Sequence, residues 1–132
     1  MIQEDKDLLL QDLCGRLPYG VKCKVWYNDK TLKIKCTGID FYTNTVNLDI
    51  PGDDNAKVYV DNIKPYLFPL SSMTEEQKII YGDLCYAVIH SLAWDMQAAL
   101  NELIDWLNKN HFDYRGLIEK GLAVNATGLN IY

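Results

Sequence analysis

The apolar pattern of this chain changes period once, near residues 63–72, and no other feature constrains its fold as much. Across residues 20–61 apolar and polar side chains alternate in short runs, as on a sheet with one buried face. Across residues 74–109 apolar side chains recur every three or four positions, as on helices. A β unit followed by a helical unit on 132 residues implies one α+β domain. Residues 1–17 form its N-terminal helix, 18–70 the β unit and 71–132 a helical half with a short C-terminal tail.

Charge is unevenly spread over these parts. Thirteen Lys and Arg stand against eighteen Asp and Glu, a net charge of −5, divided as −2, +1 and −4 over the three segments. The β unit is thus the relatively basic portion, while the acidity of the whole argues against indiscriminate polyanion binding. Cys14, Cys23, Cys36 and Cys85 show no short paired spacing. Cys23 and Cys36 fall in phase with apolar strand residues and read as small core side chains. Reduced thiols in a cytoplasm are the expectation. The first residues, Met1-Ile-Gln-Glu-Asp-Lys6, lack the basic start and apolar stretch of a signal peptide. The most apolar run, residues 84–94, is about half the ~20 residues a membrane span needs, so it is expected as a buried segment.

Residues 5–14 predict a first helix with Leu8, Leu9 and Leu13 on one side and Gly15 at its end. A hairpin follows. With Asn28-Asp29 as a two-residue turn, Val25 faces Leu32 and Cys23 faces Ile34. A second hairpin with Thr43-Asn44 as its turn sets Ile39 against Leu48 and Phe41 against Val46. The inward parity changes between Cys36 and Ile39, which marks Gly38 as a bulge. Val58 and Val60 supply a final long strand. Five short antiparallel strands with a bulge predict a small curled unit, an SH3-like barrel or an open meander. Residues 63–70, with prolines at 65 and 69, are expected to lie extended across it. Ser72 or Thr74 caps a long helix with Ile80, Leu84 and Val88 on its buried side. A further helix over residues 95–108 buries Met96, Ala99, Leu100, Leu103, Ile104 and Leu107, and Asp113 caps a last short helix ended by Gly121.

The strongest chemical constellation is on the first hairpin. Its register opposes Lys24 to Lys33 and Lys22 to Lys35, with Trp26 on the same face. Like charges directly opposed across strands destabilise a sheet. Four ammonium groups beside an indole form a platform for anions or single-stranded nucleic acid, although exposed lysines also serve to keep a sheet edge soluble. His111-Phe-Asp-Tyr-Arg115 gathers imidazole, carboxylate, phenol and guanidinium, but no nucleophile stands beside them, and Asp113 suits a helix cap. Cys85 and His90 are five residues apart, roughly 140° around a helix, and do not meet. No metal-ligand spacing, calcium loop, phosphate loop or dinucleotide fingerprint is present, so no metal, cofactor or catalytic residue is expected.

Three stretches carry a resemblance: Leu17-Pro-Tyr-Gly-Val-Lys-Cys23, Ile63-Lys-Pro-Tyr-Leu-Phe-Pro-Leu-Ser-Ser-Met-Thr74, and the run from Trp106 to Ala123. Together they resemble short uncharacterised proteins encoded by gut anaerobic bacteria, often within phage or prophage DNA. The resemblance implies a bacterial cytoplasm as the setting and carries no activity with it. Such relatives are expected to have Arg where this chain has Phe68. The leading expectation is a non-enzymatic binding or adaptor protein of a mobile element. Trp26, Tyr27 and Tyr66, among the aromatics of residues 63–70, would contact a protein partner. The alternatives are nucleic-acid binding through Lys22, Lys24, Lys33, Lys35 and Trp26, and an enzyme built on residues 111–115.

Overall fold

The first hairpin forms in the register its alternation demands. In a computed structural model that describes residues 1–92 and 95–132, β1 (Lys22–Tyr27) pairs antiparallel with β2 (Lys30–Asp40). Cys23 lies opposite Ile34, Val25 opposite Leu32 and Lys24 opposite Lys33. Asn28 and Asp29 both take positive φ, 51° and 61°, the two left-handed residues of a tight hairpin turn whose twist matches the strands.

Strand β2 continues through a bulge between Cys36 and Gly38 and pairs with β3 (Thr45–Leu48). A Cβ on Gly38 would sit 2.8 Å from the Asn47 side-chain nitrogen, so glycine lets the Asn47 side chain lie close over the bulge. Beyond the bulge the register differs from the expected one: Ile39 faces Val46 and Asp40 faces Thr45. The Asp40 carboxylate accepts the backbone N–H groups of Tyr42 and Thr43 at 2.9 and 3.2 Å. That local turn wins over a two-residue hairpin, widening the loop to residues 41–44 and leaving Phe41 and Tyr42 exposed at its tip.

The long strand expected after residue 56 is short: β4 (Lys57–Tyr59) gives way to a single 3-10 turn, Val60–Asn62. The chain then enters β5 (Ile63–Pro69), which is a fifth antiparallel strand on β1 rather than a segment lying across the sheet. The far half of β5 pairs in parallel with two short C-terminal strands, β6 (Phe112–Asp113) and β7 (Val124–Asn125). The sheet order is β4-β3-β2-β1-β5-β6, with β7 also on β5. A closed five-stranded SH3-like barrel is thereby corrected to an open, mixed sheet of seven strands. The C-terminal segment lies along β5, and β4 and β5 form no ladder with each other.

Helix α1 (Gln3–Arg16) covers the inner face, where Leu9, Leu10 and Leu13 pack with Val21, Val25, Val46, Ile63, Leu67 and Leu117. It runs two residues past the expected stop, to Arg16. Gly15 lies against the Asn108 side chain, and Arg16 is held by Asp12 one turn earlier. The chain leaves through a 3-10 turn, Leu17–Tyr19, closed by Gly20 at φ 69°. Both Asp12 and Arg16 are 0% exposed. Arg16 Nε donates to Asp12 Oδ2 at 2.7 Å, and Arg16 Nη2 donates to the Phe112 carbonyl at 2.7 Å.

The helical half is a hairpin of α2 (Glu75–His90) and α3 (Met96–Lys109). Thr74, not Ser72, caps α2 by accepting the Gln77 N–H, while the Gln77 side chain accepts the Thr74 N–H. The base of the hairpin packs through Met73, Leu107 and Phe112, with Tyr81 and Trp106 rings 6.3 Å apart. Higher up, no α2 side chain is fully buried, and on α3 Met96 and Leu100 are exposed. The apolar run expected as buried instead leaves Tyr86, Ile89 and Leu92 in solvent; its last two residues, 93 and 94, lie outside the described residues. Recurrence of apolar side chains every three or four positions reports the face of a helix but not the presence of a cover. The expected last helix is absent. Asp113 does hold backbone, accepting the Leu117 and Ile118 N–H groups at 3.0 and 2.9 Å, but the segment makes turns. Among the described residues no helix is long and apolar enough to cross a membrane.

Removing one member of the buried ion pair strands the other in the core. Arg16→Ala is expected to lower unfolding free energy by about 3–5 kcal/mol in urea melts. Arg115→Ala, whose guanidinium is partly solvated 3.3 Å from the same carboxylate, should cost about 1 kcal/mol or less. Equal losses would show that Asp12 does not depend on Arg16 in particular.

Candidate functional site

On the outer face, β5 adds a lysine that completes a row. Lys24 on β1 faces Lys33 on β2 on one side and Lys64 on β5 on the other, and all three are exposed. Adjacent strands are about 4.8 Å apart, so the row spans roughly 10 Å. No carboxylate lies within 4.0 Å of these three ammonium groups among the described residues. Asp61, nearby on the rim, is 4.0 Å from Lys6.

Trp26, 52% exposed, is two residues along β1 from Lys24. It walls two open depressions. The one of about 220 Å³ is lined by Lys24, Trp26, Thr31, Asn62 and Lys64, with Asp61 at its edge. The other, about 490 Å³, lies between Trp26, Asn28, Lys57 and Tyr59. Tyr59 is exposed, which gives the face a second aromatic surface. A flat cationic row beside two open rings can hold an anionic chain and stack planar groups.

The other expected site residues divide. Lys35 is exposed at the far end of β2, opposite Lys22. Lys22 itself is drawn away, because its ammonium donates to the Ile131 carbonyl at 2.9 Å and lies 5.9 Å from the Tyr132 ring centre. Tyr27 is half-buried, and its hydroxyl donates to Asp53 at 3.1 Å, which with partial burial raises its pKa. Tyr66 is only 9% exposed and packs on Ala126 and Ile131 beneath the tail, so it offers no contact surface. Lys64 and Tyr59 were missed. Lys64 alternates with the buried Ile63 and Pro65, a parity visible in sequence, but its position beside Lys24 requires knowing that β5 pairs with β1.

Residues 111–115 are not assembled for acid–base work. Asp113 is occupied by backbone N–H groups, Arg115 is turned to Asp12, and the Tyr114 hydroxyl donates to Asn108 at 2.8 Å. His111 borders a depression of about 400 Å³ with its ring stacked on Tyr132 at 3.6 Å, while Asp113 and Tyr114 border a separate one of about 460 Å³, so imidazole and carboxylate do not share a cavity. Burial, followed by the charges of Arg16 and Lys22, lowers its pKa to about 4. Cys23 and Cys36, the expected core residues, bring their sulfurs to 3.2 Å across the inner face, and burial raises the Cys23 thiol well above its ordinary range. His90 is exposed, with its ring tilted 32° against that of Tyr86 at 4.0 Å. Among the described residues no three His, Cys, Asp or Glu side chains converge on a metal-sized site.

His111 gives a pH signature. Its folded pKa near 4 lies below the unfolded value of 6.5, so the unfolded chain takes up the proton first as pH falls. Its contribution is full above pH 6.5 and is lost between 6.5 and about 4, on the order of 3 kcal/mol. Urea melts at pH 7 and pH 4.5 should show this loss in the natural chain and a smaller one in His111→Phe. Equal pH dependence in both would place the titration elsewhere.

No protein family, no curated protein and no solved structure matches this chain.

Proposed function

We propose that the chain is a non-enzymatic binding module whose outer sheet face takes single-stranded nucleic acid. The observation that carries this reading is the row Lys33–Lys24–Lys64 beside the half-exposed Trp26, with no carboxylate in ion-pair reach. Each pair of opposed lysines destabilises the sheet, and a polyanion laid across the row reverses the sign of that term. The rings of Trp26 and Tyr59 select for bases that are unpaired, since a duplex keeps its base faces stacked inside. A net charge of −5 restricts the attraction to this face and keeps it weak at physiological salt.

An adaptor gripping a protein partner through residues 63–70 has less support, since Tyr66 and Leu67 are core residues. The bacterial or phage cytoplasm implied by the resemblance is the proposed setting, where single-stranded intermediates are available as ligand.

Fluorescence anisotropy with short DNA and RNA oligonucleotides at low salt tests the reading. Binding in the range of about 10⁻⁶ to 10⁻⁴ M is expected, weakening steeply with salt. Lys24→Glu with Lys33→Glu should abolish it, and the milder Lys24→Gln should weaken it and flatten the salt slope. Trp26→Ala should cost about 1–3 kcal/mol with the slope retained. A flat titration, or equal binding by the lysine variant, would remove this function from the sheet face.

A further inference from the structure

We infer that α2 is a self-association element, and that the face it turns to solvent seats α2 of a second copy of this chain, antiparallel. The helix carries two apolar seams. Tyr81, Leu84 and Val88 form the inner one, all half-buried, with Tyr81 packed against Leu107 and Trp106 of α3. Ile79, Gly82, Tyr86 and Ile89 form the outer one, recurring at intervals of three, four and three, the spacing of a helix–helix seam. Ile79, Tyr86 and Ile89 are 65%, 64% and 74% exposed. A helix with apolar seams on two sides has two surfaces to remove from water, and α3 covers only one of them.

The area suits a dimer. With Ile80 and Leu92 at its margins, the outer face leaves on the order of 600 Å² of apolar side chain in solvent, at the limit of what monomers leave open. That is the lower end of the roughly 600–1,000 Å² each subunit brings to a stable interface.

The shape suits a second copy in particular. Gly82 is in the middle of α2, where glycine weakens a helix, and among the described residues no atom beyond its chain neighbours and the adjacent backbone of α2 lies within 4 Å of where its Cβ would be. No internal contact calls for glycine there, whereas close approach from outside does. Tyr86, one turn further on, is the largest knob of the seam. An isologous interface must be complementary to itself. An antiparallel copy, turned about an axis near residues 82–83, sets each Tyr86 over the notch between Ile79 and Gly82 of the other. The same turn brings the acidic first turn of each helix, Glu75 and Glu76, to His90 of its neighbour. Asp83 alone opposes its own copy, which costs stability. These residues are distinct from the lysine row, so failure of either proposal leaves the other standing.

Sedimentation equilibrium of the full chain over roughly 1 to 100 µM tests the inference. The natural chain should be a reversible dimer. Ile79→Glu with Tyr86→Glu should be monomeric with an unchanged helical circular dichroism spectrum, since both side chains are solvent-facing in the single chain. Gly82→Leu should weaken the dimer at least tenfold although it favours the isolated helix, and Asp83→Asn should tighten it several-fold. A natural chain monomeric at 100 µM would overturn the inference, whether the face then captures lipid vesicles or another protein. A dimer that survives both the double substitution and Gly82→Leu would overturn it as well.

Discussion

The buried Asp12–Arg16 pair is the interaction on which the topology turns. Both groups are wholly removed from solvent, so neither tolerates loss of the other. Arg16 also reaches the Phe112 carbonyl on β6, and Tyr114 lies between two guanidiniums, Arg16 and Arg115, each 5.2 Å from its ring centre. The first helix is thereby fastened to a segment about a hundred residues away. Once held there, residues 112–113 and 124–125 lie in parallel beside β5. Burial of apolar area alone does not distinguish a sheet closed by β4 from one extended by β6 and β7. A directional, charged contact does, and the result is the open sheet.

That contact also explains which parts of the fold were legible. The first hairpin was read in full because its information is local: a two-residue turn, strict alternation and a register in which a slip buries lysine. The second hairpin was read in outline only. Its bulge at Gly38 follows from parity, but Asp40 offers the backbone N–H groups of Tyr42 and Thr43 a competing turn, and a side chain two residues away decides the loop. Strands β6 and β7 are two residues each and carry no periodicity at all. They exist because Arg16 and β5 provide partners, and neither is near in sequence. Lys64 was invisible as a site residue for the same reason, while Lys24, Lys33 and Trp26 were readable.

Helix α2 fails differently. Its apolar content is correctly helical in period, and reading it as interior assumed that the chain itself supplies the cover. The structure shows one side covered by α3 and the other open. An apolar residue pattern specifies that a surface will be removed from water, and the remover need not be intramolecular. The charge division follows the same boundary. The lysines gather on the sheet face, while the hairpin of α2 and α3 combines apolar seams with a surplus of carboxylates. The two surfaces differ in both polarity and sign, so a ligand suited to one is rejected by the other.

The C-terminal tail sets the boundary of the lysine face. The Tyr132 hydroxyl accepts the Lys22 N–H at 3.0 Å and donates to the Tyr66 carbonyl at 2.9 Å, while its ring stacks on His111. The Ile131 carbonyl takes the Lys22 ammonium. One residue thus joins β1, β5 and the turn before β6, and in doing so withdraws one of the hairpin's four lysines from the surface. Lys35 is left exposed opposite it, and the continuous row is the one through Lys33, Lys24 and Lys64, bordered by Trp26. Even within a hairpin whose register is fully legible, the availability of Lys22 is therefore decided by Ile131 and Tyr132, more than a hundred residues away.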